Sequence, residues 1–534
     1  MPTDCITFQN SGYFTPIVID YLDEKLTLKP LYNRFPRIEN FAGQITEKTL
    51  NYNETDFKKR SVLVQTLEKQ CENIDASELT KQHIASLFND NTFTVTTGHQ
   101  LNLFTGPLYF LYKIISTINL CAELKLKYTD KNFVPIYWMA TEDHDFDEIN
   151  YFNFKGKKFR WNRESSGAVG RLSTAGLQDV YNIFSSELGD GDNAKTIKEL
   201  FEKAYLQHDN LADATRFLAN ALFGKYGLVI LDGDSRDLKR EFIPYIKEEL
   251  LQQKSFEKVN ETIAKLKDYA IQVNPREINL FYVNETIRER IILEHGIYKV
   301  NNSKIEFTES EILTELENFP ERFSPNVISR PLYQEVILPN LCYIGGGGEI
   351  AYWLELKSTF EMHNITFPML LLRNSVVIAT EKQATKMKKL DVSWQDLFLK
   401  QQNLLKLQTI KKTDFTIDFD EQKKHLKKQF EHLFSIAQQT DQSFIGAVKA
   451  QEVKQIKGLE NLEKRLLKAQ KRVLANELNA VVVLQNELFK NHSLQERQTN
   501  FAEFYTEYGN QLITKLITEL KPLDNAFNVV VFKN

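Results

Sequence analysis

The residues with the clearest chemical potential form an acidic segment at residues 141–149, TEDHDFDEI. Five carboxylates within seven positions surround one histidine, His144. Like charges at this spacing repel each other, so the segment needs either an offsetting cation or full solvation. Mg²⁺, the ammonium group of a substrate or a basic side chain from elsewhere in the chain would each serve. The five acids are Glu142, Asp143, Asp145, Asp147 and Glu148.

Two observations narrow the chemistry of this acidic segment. It directly follows an apolar stretch, residues 133–139, whereas a merely solvated acidic turn seldom abuts a buried strand. The cysteines are far apart in the sequence and show no ligand spacing, which disfavours zinc and gives no case for a thiol nucleophile. They are Cys5, Cys71, Cys121 and Cys342.

A second polar segment, TTGHQLNLFTG, occupies residues 96–106 and contains His99. An imidazole near a helix N-terminus suits an anionic ligand, because it can bind phosphate oxygens together with free backbone N–H groups. Class I nucleotidyl-transfer enzymes place a histidine motif after their first strand, but they have two histidines where this segment has one. The alternative is that His99 only satisfies a turn. The other candidate binding residues of this segment are Thr97, Gly98, Gln100, Thr105 and Gly106.

A third segment begins with four consecutive glycines, Gly345–Gly348. Glycines let a backbone approach a ligand and turn its N–H groups towards an anion. The pattern fits G-x-G-x-x-A, but Arg373 stands near the position where a dinucleotide-binding acid is expected, and no Lys-Ser/Thr pair completes a Walker loop. Tight strand–helix packing is the structural alternative. The candidate binding residues of this region are Gly345, Gly346, Glu349, Tyr352, Trp353, Arg373, Asn374 and Ser375.

The elements that must position these segments form a strand–helix–strand unit. Residues 92–97 alternate β-forming side chains, residues 108–121 repeat apolar side chains at helical spacing, and residues 133–139 form an apolar run typical of a buried strand. Thr105 and Gly106 offer helix caps. If the two strands are parallel neighbours, both polar segments leave the same edge of the sheet, where α/β proteins bind ligands. We therefore expect the histidine, acidic and glycine segments to share one pocket.

Composition indicates a globular protein of several modules and gives no sign of nucleic-acid binding. A chain of 534 residues exceeds what one core supports, and 42% hydrophobic with 26% charged residues is ordinary for soluble domains. A net charge of −4 gives no general attraction to nucleic acid. The N-terminus lacks the pattern of a signal peptide, and no apolar run approaches the length of a membrane span. These features predict a cytoplasmic protein that binds neither nucleic acid nor membrane.

The order of strand, polar loop and helix predicts an α/β core interrupted by inserted connective regions. From about residue 381, Lys, Gln, Glu and Leu dominate, and Leu459, Leu466 and Val473 keep a seven-residue register. This pattern favours a coiled coil or long helical hairpin over a compact bundle. The predicted organisation is core at 1–150, 205–240 and 325–385, connective insertions at 151–204 and 241–324, a helical arm at 386–500, and a segment returning to the core at 501–534.

Four linked motifs, in order along the chain, resemble the bacillithiol-biosynthesis cysteine-adding enzymes, the cysteine ligase (BshC) family. The motifs are TTGHQLNLFTGPLYFLYKIIS, PIYWMATEDHDFDEIN, RPLYQEVILPNLCYIGGGGEIAYWLELK and FPMLLLRNS. The resemblance is strongest between residues 94 and 150 and between residues 330 and 375. One departure is visible, since the family has GGPGE where this chain has Gly347 in place of the proline.

The resemblance implies a Rossmann-like core of the nucleotidyltransferase type, a coiled coil that forms a homodimer, and a ligase that adds cysteine to glucosaminyl-malate. Joining a carboxylate to an amine in water requires activation of the acid, so we expect ATP and Mg²⁺, with no tightly bound cofactor and no metal ligands assigned. Phosphates are expected at His99 and the glycine loop, and the substrate amine near the acidic segment.

The expected catalytic residues are His99, Asp143, His144 and Asp145. His99 is predicted to stabilise phosphate charge, and His144 or Asp145 to act as base. Two alternatives stay open. One is a nucleotidyl-transferase with another acceptor, and the other is a non-catalytic nucleotide-binding protein with a coiled-coil arm.

Overall fold

The chain folds into a mixture of α-helices and β-strands. The computed structural model describes residues 3–51 and 54–533. The strands are β1 (Asp4–Thr7), β2 (Thr92–His99), β3 (Asn132–Met139), β4 (Tyr151–Phe154), β5 (Lys157–Arg160), β6 (Val229–Asp232), β7 (Leu280–Val283), β8 (Arg288–Glu294), β9 (Ile297–Val300), β10 (Glu306–Phe307), β11 (Phe323–Pro325), β12 (Asn340–Gly345), β13 (Met369–Leu372), β14 (Ser375–Thr380) and β15 (Ala526–Phe532).

The helices precede, connect and follow these strands. They are α1 (Phe8–Ser11), α2 (Pro16–Leu22), α3 (Phe41–Leu50), α4 (Glu54–Cys71), α5 (Glu78–Ser86), α6 (Tyr109–Lys127), α7 (Phe146–Ile149), α8 (Leu177–Leu188), α9 (Asp192–Tyr205), α10 (Leu211–Phe223), α11 (Arg236–Gln252), α12 (Lys254–Ile263), α13 (Glu309–Asn318), α14 (Ser329–Ile337), α15 (Gly347–Trp353), α16 (Lys357–Met362), α17 (Glu381–Lys389), α18 (Trp394–Leu397), α19 (Gln401–Lys411), α20 (Asp420–Ala437), α21 (Gln442–Val473), α22 (Ala475–Leu488), α23 (Gln495–Gln498), α24 (Phe501–Tyr508) and α25 (Gln511–Glu519).

Five parallel strands of the described chain form the central sheet, in the order β13–β12–β2–β3–β6. Strands β2 and β3 pair from Thr92 opposite Asn132 to His99 opposite Met139. Nearly every residue of both strands is buried, as expected of a parallel sheet that is covered on both faces. The predicted strand–helix–strand unit is confirmed, and the polar segments that follow β2 and β3 leave the same edge of the sheet.

The start of α6 differs from the sequence prediction. Thr105 and Gly106 were expected to cap this helix, which was wrong, because the helix begins at Tyr109 and no side chain caps it. Thr105 and Gly106 instead have positive φ values, 67° and 62°. The Asn500 amide stabilises this turn by donating to the carbonyl oxygens of Phe104 (2.7 Å) and Gly106 (2.6 Å). The turn therefore depends on a residue nearly 400 positions away, which local pattern does not predict.

Inserted segments with their own secondary structure interrupt the core. Strands β4 and β5 form an antiparallel hairpin around Gly156. Between residues 280 and 325, strands β7–β11 form an antiparallel sheet in the order β10–β9–β8–β7–β11. Near the chain ends, β15 pairs antiparallel with β1, with Asp4 opposite Val529.

The described chain divides into two units. The first contains residues of 1–9, 13–377 and 495–530, and the second contains residues of 10–12, 378–494 and 531–534. In the second unit, α20 and α21 pack as an antiparallel hairpin around Phe430, Ala437 and Val448. Lys423 and Glu463 form an ion pair across this hairpin at 2.7 Å. A long helical hairpin is thus present where the sequence favoured one over a compact bundle.

No helix among the described residues has both the length and the apolar character that crossing a lipid bilayer requires.

Substitution of Asn500 tests the turn that precedes α6. Asn500→Ala leaves two buried carbonyl oxygens without their donor, so we expect the free energy of unfolding to fall by about 2–4 kcal/mol. Chemical denaturation measures this loss. The control is Asn403→Ala at an exposed helical position, which is expected to change stability by less than about 0.5 kcal/mol. Equal effects of the two substitutions would contradict this account of the turn.

Candidate active site

A cavity of about 620 Å³ opens at the carboxyl edge of β2, β3 and β12. All three polar segments singled out in the sequence contribute to its wall, so the expected shared pocket exists. The candidate residues that line it are Gly98, His99, Gln100, Glu142, Asp143, His144, Asp145, Glu349 and Tyr352. A larger cleft of about 960 Å³ lies at the end of β6, but no candidate residue lines it.

Other candidate residues lie outside the cavity wall. The Thr97 hydroxyl donates to the carbonyl oxygen of Ile344 at 2.8 Å and so joins two strands. Trp353 is fully buried and stacks on Tyr343 with ring centroids 4.6 Å apart. Arg373 pairs with Glu496 at 2.7 Å, and the Asn374 side chain accepts from Ser116. The complete set outside the wall is Thr97, Thr105, Gly106, Gly345, Gly346, Trp353, Arg373, Asn374 and Ser375.

His99 is a buried, neutral imidazole that faces the cavity. Its side chain packs edge-on against Tyr109, with ring centroids 5.3 Å apart. Burial, together with the positive charges of Lys113 and Arg373, lowers the pKa of His99 well below its ordinary value. Its Nε2 atom is buried and has no hydrogen-bond partner among the described residues. Such an atom is costly to leave unpaired, so His99 is prepared to hydrogen-bond a ligand.

The cation that the acidic segment requires is supplied by Arg288, from β8 of the inserted sheet. Burial lowers the pKa of the Arg288 guanidinium, and the carboxylates of Glu142, Asp143 and Asp145 oppose that change. Of the three ways to offset the acidic charge that the sequence left open, the structure uses a basic side chain from elsewhere in the chain.

Arg288 also determines which ring nitrogen of His144 carries the proton. Its Nη1 lies 2.7 Å from His144 Nδ1. A guanidinium can only donate, so Nδ1 must accept and the neutral imidazole carries its proton on Nε2. His144 therefore has no free lone pair with which to take a proton from a substrate. The Asp145 side chain is about half exposed.

Glu142 is held by a buried lysine, Lys239. The sequence around this lysine does not predict its burial. Burial raises the pKa of the Glu142 carboxyl, while the Lys239 ammonium, which donates to its Oε1, opposes the rise. Lys239 has no exposed side-chain surface. The carboxylate is thus neutralised inside the protein rather than by solvent.

The Glu349 carboxylate lies against the glycine loop and is held by three donors. Its Oε2 accepts from the Gly346 N–H at 2.8 Å and pairs with Lys113 at 2.5 Å, and its Oε1 accepts from the Tyr343 hydroxyl at 2.6 Å. Burial works to raise the pKa of Glu349, but Lys113 and these donors hold it below its ordinary value. The loop N–H group is therefore already satisfied by a carboxylate of the protein itself.

Basic residues line the remaining wall of the cavity and were missed in the sequence. Arg276 and Arg290 come from the second inserted region, and Arg330 is the second residue of α14, the helix that precedes β12. Among the described residues, no ion pair holds any of these three side chains. The sequence could have identified Lys113 as a candidate, since it is a lone charge in an otherwise apolar helix face. No such local pattern distinguishes the three arginines from other charged residues.

The cavity wall therefore carries charges of both signs. It holds the carboxylates of Asp143 and Asp145, which suit an amine, and the guanidinium groups of Arg276, Arg290 and Arg330, which suit carboxylates or phosphates. A ligand that has both an amine and negatively charged groups would find partners for both in this wall.

The buried neutral state of His99 predicts a pH-dependent stability. In the unfolded chain this imidazole binds a proton below about pH 6.5, whereas the folded chain excludes it, so acid favours unfolding. On lowering the pH from about 7.5 to about 5.5, the wild-type chain should lose about 1.4 kcal/mol more unfolding free energy than His99→Gln. Denaturant unfolding of both proteins at each pH measures this difference, in which other titrating groups cancel. A pH-independent difference would contradict the neutral assignment.

Comparisons with known proteins find matches over nearly the whole chain. Residues 1–374 match the family profile "Bacillithiol biosynthesis BshC, N-terminal Rossmann-like domain", and residues 376–532 match the corresponding C-terminal coiled-coil domain.

Three bacterial relatives are similar over nearly their full length. Each is named "Putative cysteine ligase BshC". The protein of Flavobacterium johnsoniae is 66% identical, covering 99% of this chain and 100% of the relative. That of Flavobacterium psychrophilum is 63% identical, covering 99% of each. That of Cytophaga hutchinsonii is 38% identical, covering 98% of this chain and 97% of the relative.

The matches cover nearly the full chain, and they agree with its Rossmann-like core and with the helical hairpin of its second unit. The chain belongs to the bacillithiol-biosynthesis BshC family.

Proposed function

We propose that this chain is a ligase that joins the carboxyl group of cysteine to the amine of glucosaminyl-malate, giving bacillithiol. The proposal rests on the family of the chain and on the relatives named as cysteine ligases. The single structural observation that carries it is a cavity wall that holds both carboxylates and guanidinium groups, because glucosaminyl-malate has an amine and two carboxylates.

The charged groups of this substrate match the two kinds of charged side chain in the cavity wall. The malate carboxylates bind the guanidinium groups of Arg276, Arg290 and Arg330, and the amine lies against Asp143 and Asp145. In this orientation the amine reaches the acidic segment, where a base is available. Asp145 is the base in this scheme, since Arg288 occupies the lone pair of His144.

Activation of the cysteine carboxyl group requires an energy source, for which we take ATP with Mg²⁺. His99 contributes a hydrogen bond from its unpartnered Nε2 to a phosphate oxygen, as a neutral group rather than a cation. Asp143 offers carboxylate oxygens, the kind of ligand that Mg²⁺ prefers, while Asp145 is kept for the substrate amine. A phosphate at the glycine loop would have to displace Glu349 from the Gly346 N–H or bind beside it.

Reconstitution with and without nucleotide tests this function. The purified chain is incubated with cysteine and glucosaminyl-malate, and the amide product is measured by mass spectrometry. We expect product with ATP and Mg²⁺ and none without nucleotide, because the carboxyl group must be activated. Product formed without any nucleotide would contradict the activation step, and absence of product under every condition would contradict the ligase assignment.

A matched pair of variants accompanies this reconstitution. Asp145→Asn removes the proposed base and should lower kcat by about 10²–10⁴-fold. Asp147→Asn changes an exposed acid of the same segment that pairs with Arg160, outside the cavity wall, and should keep the wild-type rate. Equal rates for the two variants would contradict the role of Asp145.

The same proposal includes a homodimer formed through the helical hairpin. Helix α21 presents an apolar stripe of Leu459, Leu462, Leu466 and Val473, in which Leu462 is 52% and Val473 76% exposed. Exposed apolar stripes of this kind are typical of coiled-coil partners. A second copy of this chain is the partner that fits the coiled-coil family assignment.

Charge substitutions on opposite faces of α21 test the dimer. Leu462→Glu with Val473→Glu places two carboxylates in the stripe and should convert a dimer into a monomer in sedimentation analysis. The control is Val453→Glu, which is 54% exposed but lies nine residues, or two and a half turns, from Leu462 and so on the opposite face. A monomeric wild-type chain, or loss of the dimer in the control alone, would contradict this interface.

A further inference from the structure

The second unit carries a charge opposite to that of the rest of the chain. Residues 378–494 contain 21 Lys and Arg against 14 Asp and Glu, a net charge of +7. The whole chain has a net charge of −4, so the remaining residues together carry −11. The whole-chain value therefore conceals a basic unit, and the expectation that this chain binds no nucleic acid rests on that sum alone.

Seven basic side chains of this unit lie on one face of α21. At about 100° per residue they fall within an arc of about 120°, and they extend along about 27 Å of the helix axis. Between residues 454 and 472, the only other residue within this arc is Asn461, and Glu460 lies about 20° outside it. This basic stripe consists of Lys454, Lys457, Lys464, Arg465, Lys468, Lys471 and Arg472.

The basic stripe has no negative partner within the chain. Six of its side chains are exposed and Lys471 is half-buried. Within residues 3–51 and 54–533, none of the seven forms an ion pair. Like charges three or four residues apart on a helix repel each other, as Lys464 and Lys468 do, and Lys468 and Arg472. A negatively charged partner would relieve this repulsion.

The opposite face of α21 is the one that the protein itself uses. Glu463 lies about 180° from Lys454 and pairs with Lys423 of α20 at 2.7 Å. The apolar stripe proposed for the dimer, which includes Leu462 and Val473, is centred about 150° from the middle of the basic stripe. The basic stripe therefore stays accessible in the helical hairpin and in the proposed dimer.

The composition of the basic stripe distinguishes between classes of anionic partner. Helices that bind membranes insert Trp, Phe or Leu side chains, and protein interfaces have an apolar or aromatic centre. The stripe contains neither kind of residue. It also lacks the aromatic side chains on which the bases of a single strand stack. The phosphate backbone of a duplex requires only Lys and Arg, because it is bound through charge alone.

We propose that the basic stripe of α21 is an interaction surface for the phosphate backbone of a nucleic-acid duplex, bound without regard to base sequence. A row of about 27 Å spans about eight base pairs at about 3.4 Å each. This interaction goes beyond the ligase activity and does not depend on it, since the stripe lies in the second unit, whereas the residues of the candidate active site belong to the first.

Neutralising part of the stripe tests this surface. Binding of the full chain to a fluorescently labelled DNA duplex of about 20 base pairs is measured by anisotropy at several salt concentrations between about 50 and 200 mM. The combined change Lys457→Gln, Lys464→Gln, Lys468→Gln and Lys471→Gln should weaken binding at the lowest salt by at least about tenfold. It should also make the slope of log K against log[salt] less steep by about three to four, because that many phosphate contacts are lost.

A matched variant separates the stripe from net charge. Four exposed lysines of the same unit outside α21 are changed to Gln, which removes the same charge and should leave binding within about threefold of wild type. They are Lys388, Lys400, Lys406 and Lys424. Equal weakening by the two variants would show that net charge alone attracts the duplex and would overturn the proposal.

Two further measurements complete the design. Changing the four stripe lysines to Arg retains their charge and should keep wild-type affinity, so a loss of binding in that variant would contradict contacts made through charge. Vesicles rich in phosphatidylserine are titrated in parallel with the duplex. A wild-type chain that fails to bind the duplex at the lowest salt, or that binds the vesicles through the stripe and not the duplex, would overturn the proposal.

Discussion

Burial of charge at the carboxyl edge of the central sheet is the constraint on which the site depends. Taking a charged group out of water costs several kcal/mol unless an opposite charge and hydrogen bonds replace the solvent. Each of four acids near this edge is met by a cation from a distant part of the chain, and each pair fixes one segment against another. The pairs are Glu142 with Lys239, Asp234 with Arg171, Glu349 with Lys113 and Glu496 with Arg373.

This compensation determines which charged groups of the cavity wall already have a partner within the protein. Lys113 is committed to Glu349, and Arg288 lies among the carboxylates of the acidic segment. Arg276, Arg290 and Arg330 also line the wall, and no ion pair within the described chain holds them. The charge that the wall offers to a ligand then follows from which groups the protein has already neutralised, not from the number of charged residues in the wall.

The strands that position this site could be predicted from the sequence, because their pattern of apolar residues is local. The run Phe133–Met139 and the alternation at 92–97 specify adjacent parallel strands, and these bring His99 and Asp143 to one edge. The contributions that were missed come from distant segments whose local pattern is ordinary. Arg288 is one of several charged residues on an alternating strand, and Lys239 reads as part of a solvated helix face until its partner Glu142 is known. Tertiary contact, not residue type, gives these two side chains their roles.

The glycine segment shows why a glycine motif alone does not specify phosphate binding. What binds an anion is a set of N–H groups without partners, and in this loop the Gly346 N–H is bonded to Glu349 three residues later. The carboxylate is held by Lys113 and Tyr343 as well, so displacing it would leave a buried ammonium and a hydroxyl in need of a new acceptor. An incoming phosphate could satisfy those same donors, because it offers several oxygens with negative charge. The four glycines therefore do not by themselves form a vacant anion site, and the proposed nucleotide phosphate would have to outcompete the carboxylate of Glu349 for the Gly346 N–H.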